Sequence, residues 1–220
     1  MPFYEELKSQ TEAARNYLLG SPVIADCLAG RVAREDYLAF LGQAFHHVRH
    51  TTPLLMSLGG RLPERLGWLR PAVAEYIEEE IGHDEWILND IAAAGGDAEA
   101  VRNSRPALPA ELMVAYAYDL IQRGNPAAFF GMVFVLEGTS AAFALTAADR
   151  IQEALGLPPE ALSYLRSHGA LDQEHTKHLE QLLERMAPED QADVVEAARV
   201  FYKLYGDIFR ALPARAATWN

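Results

Sequence analysis

The sequence predicts an all-α protein, a single bundle of about seven to eight helices, and three observations carry that prediction. Apolar residues recur at spacings of three and four over most of the chain. No window alternates β-branched and polar residues with a period of two, as a half-buried strand would. Glycine and proline fall in clusters that divide the periodic segments into lengths typical of bundle helices. The first helix is expected over 3–19, stopped by Gly20-Ser21-Pro22, and a short one over 23–29, closed by Gly30. A second long helix is expected over 34–58, with Gly59-Gly60 as its stop. A third runs over 65–94, after Pro63 and before Gly95-Gly96. Residues 103–109 read as loop, and a helix over 110–123 ends at Gly124-Asn125-Pro126. The remaining helices are expected over 127–155, 159–186 and 188–212, separated by Gly156-Leu157-Pro158-Pro159 and opened at the last by Pro188. No low-complexity linker or internal repeat divides the chain, so residues 1–220 are expected to form one domain.

Half of the 220 residues are hydrophobic, enough for a sizeable core, and the formal net charge is −12. An acidic chain without a Lys/Arg-rich stretch is a poor match to nucleic acid, and none is expected as a partner. The single cysteine, Cys27, excludes an internal disulfide and fits a reducing cytoplasm. The N-terminus, MPFYEELKSQTEAAR, carries charges where a signal peptide needs an apolar core. The apolar run 127–148 has a carboxylate near its middle together with Gly138, Thr139 and Ser140. It is expected to be a buried bundle helix, not a membrane span.

That carboxylate, Glu137, is the only charge in AAFFGMVFVLEGTSAAFALTAA. An ionised carboxylate removed from water costs several kcal/mol unless a partner offsets it. Farther on, in SHGALDQEHTKH, His168, Asp172 and His175 fall within about 60° of one another on one helix face, with His178 about 60° beyond. Histidine with carboxylate suits a first-row metal such as iron or manganese; the ordinary alternative is a solvated polar face opposite Leu171, Leu179 and Leu182. In AEYIEEEIGHDEW, His83 lies one turn from both Glu79 and Glu80, and the helix phase does not separate the two. The segment FHHVRHTTP crowds His46, His47, Arg49 and His50 together, too many for all to face the core. Four helices thus offer inward Glu or His, the arrangement from which carboxylate-bridged di-iron sites are built in bundles. A bundle rich in Phe, Leu and Met would supply an apolar pocket for a small acid, with Phe129, Phe130, Phe134 and Phe143 as candidate walls. Arg49, Lys177 and Tyr202 are candidates to hold its polar end.

At these residues the chain resembles the heme-oxygenase-like di-iron oxidase and oxygenase family. The segment SPVIADCLAGRVAREDYLAFLGQAFHHVRH is similar to the start of the wider superfamily that includes thiaminase II (TenA) and the PQQ-synthesis oxidase. The di-iron branch places an acid and a histidine on one helix, a glutamate on a later one, then H-x3-[DE]-x2-H. Here those positions are matched by Glu79 or Glu80 with His83, by Glu137, and by His168, Asp172 and His175. The resemblance implies a heme-oxygenase-like bundle, two iron ions (or Fe/Mn), and O2-dependent oxidation of a small organic acid or amine with an apolar portion. It implies catalytic roles for Glu137 and His83, and often a homodimer. Where the family places a glutamate on the second long helix this chain offers histidine, His47 by spacing and His46 next. The cysteine of the thiaminase branch is absent from the Glu137 helix, and the first helix lacks the histidine by which heme oxygenases hold heme. Two further readings remain: a metal-free enzyme of the same fold using His83 and Glu137 as acid and base, and a non-enzymatic small-molecule-binding protein.

Overall fold

The computed structural model describes residues 1–212, with only the backbone described for residues 170–174. Among them are helices and no strand. In order they are α1 (Phe3–Gln10), α2 (Glu12–Leu19), α3 (Pro22–Leu28), α4 (Arg34–Val48), α5 (Thr51–Arg61) and α6 (Arg70–Glu80). They continue with α7 (His83–Ala93), α8 (Ala98–Arg102), α9 (Leu108–Arg123), α10 (Phe130–Leu155), α11 (Ser163–Glu184) and α12 (Pro188–Ala211). Short 3-10 helices, Glu64–Leu69, Pro126–Phe129 and Pro159–Leu162, lead into α6, α10 and α11.

Three of the expected long helices are broken, each for a local reason. The first divides at Thr11, whose backbone N–H and hydroxyl both donate to the Leu7 carbonyl. The expected helix 34–58 divides at Arg49–His50 because Pro53 has no N–H for the Arg49 carbonyl and its ring would collide with it. Beyond that point α5 runs through Gly59-Gly60 and stops only before Pro63. The expected helix 65–94 divides at Ile81 (φ −63°, ψ 121°) and Gly82 (φ 90°, ψ 0°), the two central residues of a type II β-turn. Glycine is required at Gly82 because an L side chain at that φ collides with its own backbone. The turn places Glu80 and His83 at its two corners. The short α8, in a stretch the pattern left unassigned, is nucleated by Asp97, whose carboxylate accepts from the Ala100 N–H.

Two apolar clusters form the interior. One gathers α1, α5, α6, α9, the N-terminal half of α10, the C-terminal half of α11 and α12, and includes Leu54, Tyr76, Phe130 and Phe201. The other gathers α4, α7, the C-terminal half of α10 and the start of α11, and includes Phe45, Ile87, Ala148 and Leu165. Both α10 and α11 cross from one cluster to the other. At α10, Gly131 allows α12 to approach so closely that a Cβ would lie 2.7 Å from the Val194 carbonyl oxygen; at α11, Gly169 does the same against Leu145 of α10, at 2.8 Å. The stretch Pro126–Leu155 is long and apolar enough to cross a membrane by length and composition, and half of its most apolar window is buried inside the bundle. The last helix is anchored by Asp190, which accepts two bonds from Arg65 (2.6 and 2.9 Å) and one from Asn125 (2.7 Å).

Gly82→Ala is expected to lower stability by about 1–2 kcal/mol through left-handed strain alone. Chemical denaturation measures this; an unchanged midpoint would mean that the turn tolerates a side chain.

Candidate metal centre

The type II turn sets the first group of ligand types. Glu80 ends α6 and His83 begins α7, and Glu80 Oε2 lies 3.1 Å from His83 Nδ1. His168, from the middle of α11, brings its ring to a centroid distance of 4.8 Å from His83, edge to face. One donor atom from each of Glu80, His83 and His168 lies within 4.8 Å of the others, the only such group among the described residues. The rings are held in place by aromatic neighbours: Trp86, one turn along α7, lies 4.1 Å from His83 at 30°, and Tyr164 lies 4.8 Å from His168.

Two buried helices meet here because of Asp90, two turns along α7 from His83. Its carboxylate accepts from Ser163 N (3.1 Å), Tyr164 N (2.9 Å) and the Ser163 hydroxyl, satisfying the first N–H groups of α11 from another helix. Burial pushes the Asp90 carboxyl above its ordinary range, against the pull of these three donors. Since Ser163 and Tyr164 stand about one turn before His168, this contact fixes the register in which His83 and His168 face each other.

A second group adjoins the first. His175, two turns beyond His168 on the same face of α11, places Nε2 3.1 Å from Glu79 Oε2 and Nδ1 3.7 Å from Glu137 Oε1. Its ring lies edge-on to Tyr76 at 5.9 Å. Glu137 is 8% exposed and His83 2%. The phase ambiguity between Glu79 and Glu80 is therefore resolved by division: Glu80 turns to His83, Glu79 to His175. The side chain of Asp172 lies outside the described residues. His178 stands farther out, 3.9 Å from Glu75, with both side chains substantially exposed.

Of His46, His47 and His50, the structure brings only His47 toward these groups. It lines a cavity of about 90 Å³ together with Glu80, Glu137, His168, Tyr76 and Tyr205. Its Nδ1 lies 3.1 Å from the Gln43 carbonyl, which accepts only, so the proton sits on Nδ1 and the Nε2 lone pair is left for another partner. Burial lowers its pKa to about 4, so the ring is neutral near pH 7. His46 instead meets Ser104 (2.9 Å) and His50 meets Tyr118 (3.3 Å), both on the α9 side.

Of the expected pocket residues, Phe129 lines the small cavity, while Phe130, Phe134, Tyr202 and Arg49 are placed elsewhere. Phe130 and Phe134 do not line the small cavity, whose α10 wall is Met132, Val133, Leu136, Glu137 and Ser140. They are packed in the first apolar cluster, Phe134 edge-on to Tyr4 and Tyr202. Tyr202 is buried there as well, and Arg49 lies over the Phe45 ring at the surface. None of the four lines either cavity. A larger cavity, of about 380 Å³, does include Phe143, and shares Ser140, Tyr164, His168 and Tyr205 with the smaller one. Cys27 lines the larger cavity, half-buried.

A family model described as iron-containing redox enzyme matches residues 38–206, and the chain belongs to that family. No curated protein matches at a significant level. Among solved structures, a domain of unknown function with a heme oxygenase-like fold from Shewanella denitrificans OS217 is similar with a TM-score of 0.85 and 25% identity, over 94% of this chain and 90% of that one. A TenA homolog from Pseudomonas syringae pv. tomato matches with a TM-score of 0.79 and 12% identity, over 96% and 91%. The heme oxygenase from Leptospira interrogans matches at 0.75 and 13%, over 96% and 99%. The fold is thus the heme oxygenase-like bundle that the sequence predicts.

Asp90→Ala is expected to cost about 2–4 kcal/mol, from the lost cap and the stranded N–H groups of Ser163 and Tyr164, with Asp90→Asn recovering part of it. Equal denaturation midpoints for Asp90→Ala and wild type would remove Asp90 from this role.

Proposed function

We propose that the chain is an O2-dependent non-heme iron oxidase or oxygenase holding two metal ions, both iron or one iron and one manganese. The observation that carries this reading is the buried group Glu80–His83–His168, with His175 beside it facing the buried Glu137 on one ring nitrogen and the partly exposed Glu79 on the other. The donor set fits the ions. Three carboxylates and three imidazoles match the mixed oxygen and nitrogen ligation that iron and manganese accept, and two divalent cations offset three carboxylate charges. Glu80, His83 and His168 would hold one ion, and His175, through one ring nitrogen, would hold the other with Glu137 or with Glu79. When bound and reduced, iron supplies the electrons and the Lewis acidity that O2 activation needs.

The remaining chemistry belongs to the chain. Phe129, Met132, Val133 and Leu136 give the small cavity one apolar wall opposite its carboxylates and imidazoles. His47, neutral and tied to Gln43 through Nδ1, turns its Nε2 lone pair to that cavity as a ligand or as an acceptor for a proton. Trp86 and Tyr164 restrain the rings of His83 and His168, so that their nitrogens stay aimed at one point. The substrate class is a small organic acid or amine with an apolar portion. Cysteine-based hydrolysis of the thiaminase kind is not supported, because burial pushes the Cys27 thiol up to about 11 and keeps it protonated. Heme ligation from the first helices is not supported either, since residues 1–20 contain no histidine.

Anaerobic titration with Fe(II) is expected to show about two equivalents bound, with an optical change on admitting air. His168→Ala is expected to reduce the count to about one and Glu137→Ala to weaken the second ion. No saturable iron binding, or counts unchanged in both variants, would contradict the proposal. Full activity on a substrate after exhaustive chelation would favour the metal-free acid–base reading with His83 and Glu137.

A further inference from the structure

Elsewhere on the surface acidic side chains meet Arg or Lys, as Glu85 meets Arg102 and Asp207 meets Lys203. One strip departs from this. Among the described residues Glu75, Glu79 and Glu80 of α6 are paired with histidine alone: Glu75 with His178, Glu79 with His175 and Glu80 with His83. The difference is chemical. A guanidinium or an ammonium offers only donors and repels a cation, whereas an imidazole can present a lone pair beside the carboxylate oxygens. Such pairs suit a divalent first-row cation.

The pairs form a ladder that descends from solvent toward the metal centre. Glu75 and Glu79 are four residues apart on α6, and His175 and His178 three apart on α11, so the two pairs stack with a step of about 5 Å. Exposure falls along it. The side chains of Glu75 and His178 are 61% and 42% exposed, those of Glu79 and His175 39% and 11%, and that of Glu137 11%. Tyr76 stands edge-on to both rings, 5.9 Å from His175 and 6.3 Å from His178, and keeps them in line.

The outer pair has the makings of a site. His178 turns its Nε2 away from water, where it makes no hydrogen bond among the described residues, and Glu75 Oε2 lies 3.9 Å from it. Two donors at that separation can both reach one ion at ligand distances of about 2.0–2.2 Å. One step inward, His175 has Nε2 at 3.1 Å from Glu79 and Nδ1 at 3.7 Å from Glu137. A single ring thus spans from the partly exposed acid to the buried one.

We infer that Glu75 and His178 form an outer site for a divalent cation, and that Glu79 and His175 connect it to the buried groups, so that this ladder is the route by which Fe(II) or Mn(II) enters. Carboxylates at the mouth raise the local concentration of cations. Each step inward replaces water ligands by side-chain oxygen and nitrogen, so the desolvation of the ion is offset in stages. The inference rests on the iron reading for its destination; its own content is the rate of loading, which that reading leaves open.

The test mixes the metal-free full chain with Fe(II) anaerobically in a stopped-flow instrument. Loading is followed by quenching of tryptophan fluorescence, because Trp86 packs on His83. The wild-type rate is expected to saturate as Fe(II) rises, the signature of an outer site filled before transfer. Glu75→Gln/His178→Gln should lose that saturation and load about tenfold more slowly. It should also release iron to a chelator more slowly by the same factor, and still bind about two equivalents. Glu111→Gln, which removes an exposed carboxylate from α9, should load as the wild type does. An unchanged rate in the double variant would overturn the inference. So would slow loading joined to the loss of one equivalent, which would make the pair part of the resident site. The two readings fail differently: no iron binding by the wild type removes both, whereas two equivalents bound at an unchanged rate by the double variant removes the route alone.

Discussion

The structure depends on a layer of buried carboxylates and imidazoles placed between two apolar clusters. Either cluster by itself is ordinary helical packing. The layer between them is costly, because a carboxylate taken out of water is worth burying only where positive charge meets it. Glu137 states the problem most plainly, at 8% exposure in the most apolar helix of the chain. Its neighbour His175 faces it on one side and Glu79 on the other, so each imidazole nitrogen meets a carboxylate oxygen. Two divalent cations in this layer would turn mutual repulsion among Glu79, Glu80 and Glu137 into shared ligation.

The architecture around the layer follows from bringing four helices to it at fixed height. A type II turn, not a continuous helix, carries Glu80 and His83, and it swings the chain between the two clusters so that Tyr76 belongs to one and Ile87 to the other. Asp90 then ties α7 to the first turn of α11. Glycines at 131 and 169 let α10 lie close to both α12 and α11, which lets the short Glu137 side chain reach His175. These contacts act on positions and orientations, and each lies outside the set of ligand types.

Much of this was legible in the sequence, and what was not has physical reasons. The helical periodicity gave the bundle, and the lone charge in an apolar run pointed to Glu137 without any structure. The seven-residue spacing of His168 and His175 placed them on one face, as observed. The choice between Glu79 and Glu80 was not legible, because consecutive residues at a helix end point in directions about 100° apart and both directions are used. The break at Ile81–Gly82 was hidden because a single glycine inside a helical pattern is compatible with either outcome. Phe130 and Phe134 were misplaced by the same limitation, since an all-apolar helix does not reveal which of its faces meets a cavity. Asp90 carried only a weak signal, an acid in WILNDIAAA, and its partners lie more than seventy residues away. Among His46, His47 and His50, only tertiary packing against α9 and α12 separates the inward ring from the others.

The two cavities give the layer its two faces: the small one bounded by His47 and apolar walls, the large one open along α10 toward α3. They meet at Ser140, Tyr164, His168 and Tyr205, so a ligand of the larger cavity and an ion held by His168 would be neighbours. The central claim is that metal ions occupy the carboxylate–imidazole layer. The most direct measurement is anomalous scattering at the iron edge from crystals of the iron-loaded protein. The account predicts one peak bounded by Glu80, His83 and His168 and a second beside Glu79, Glu137 and His175. Crystals soaked in Fe(II) without air that show no peak in this layer, with the six side chains paired among themselves, would contradict it.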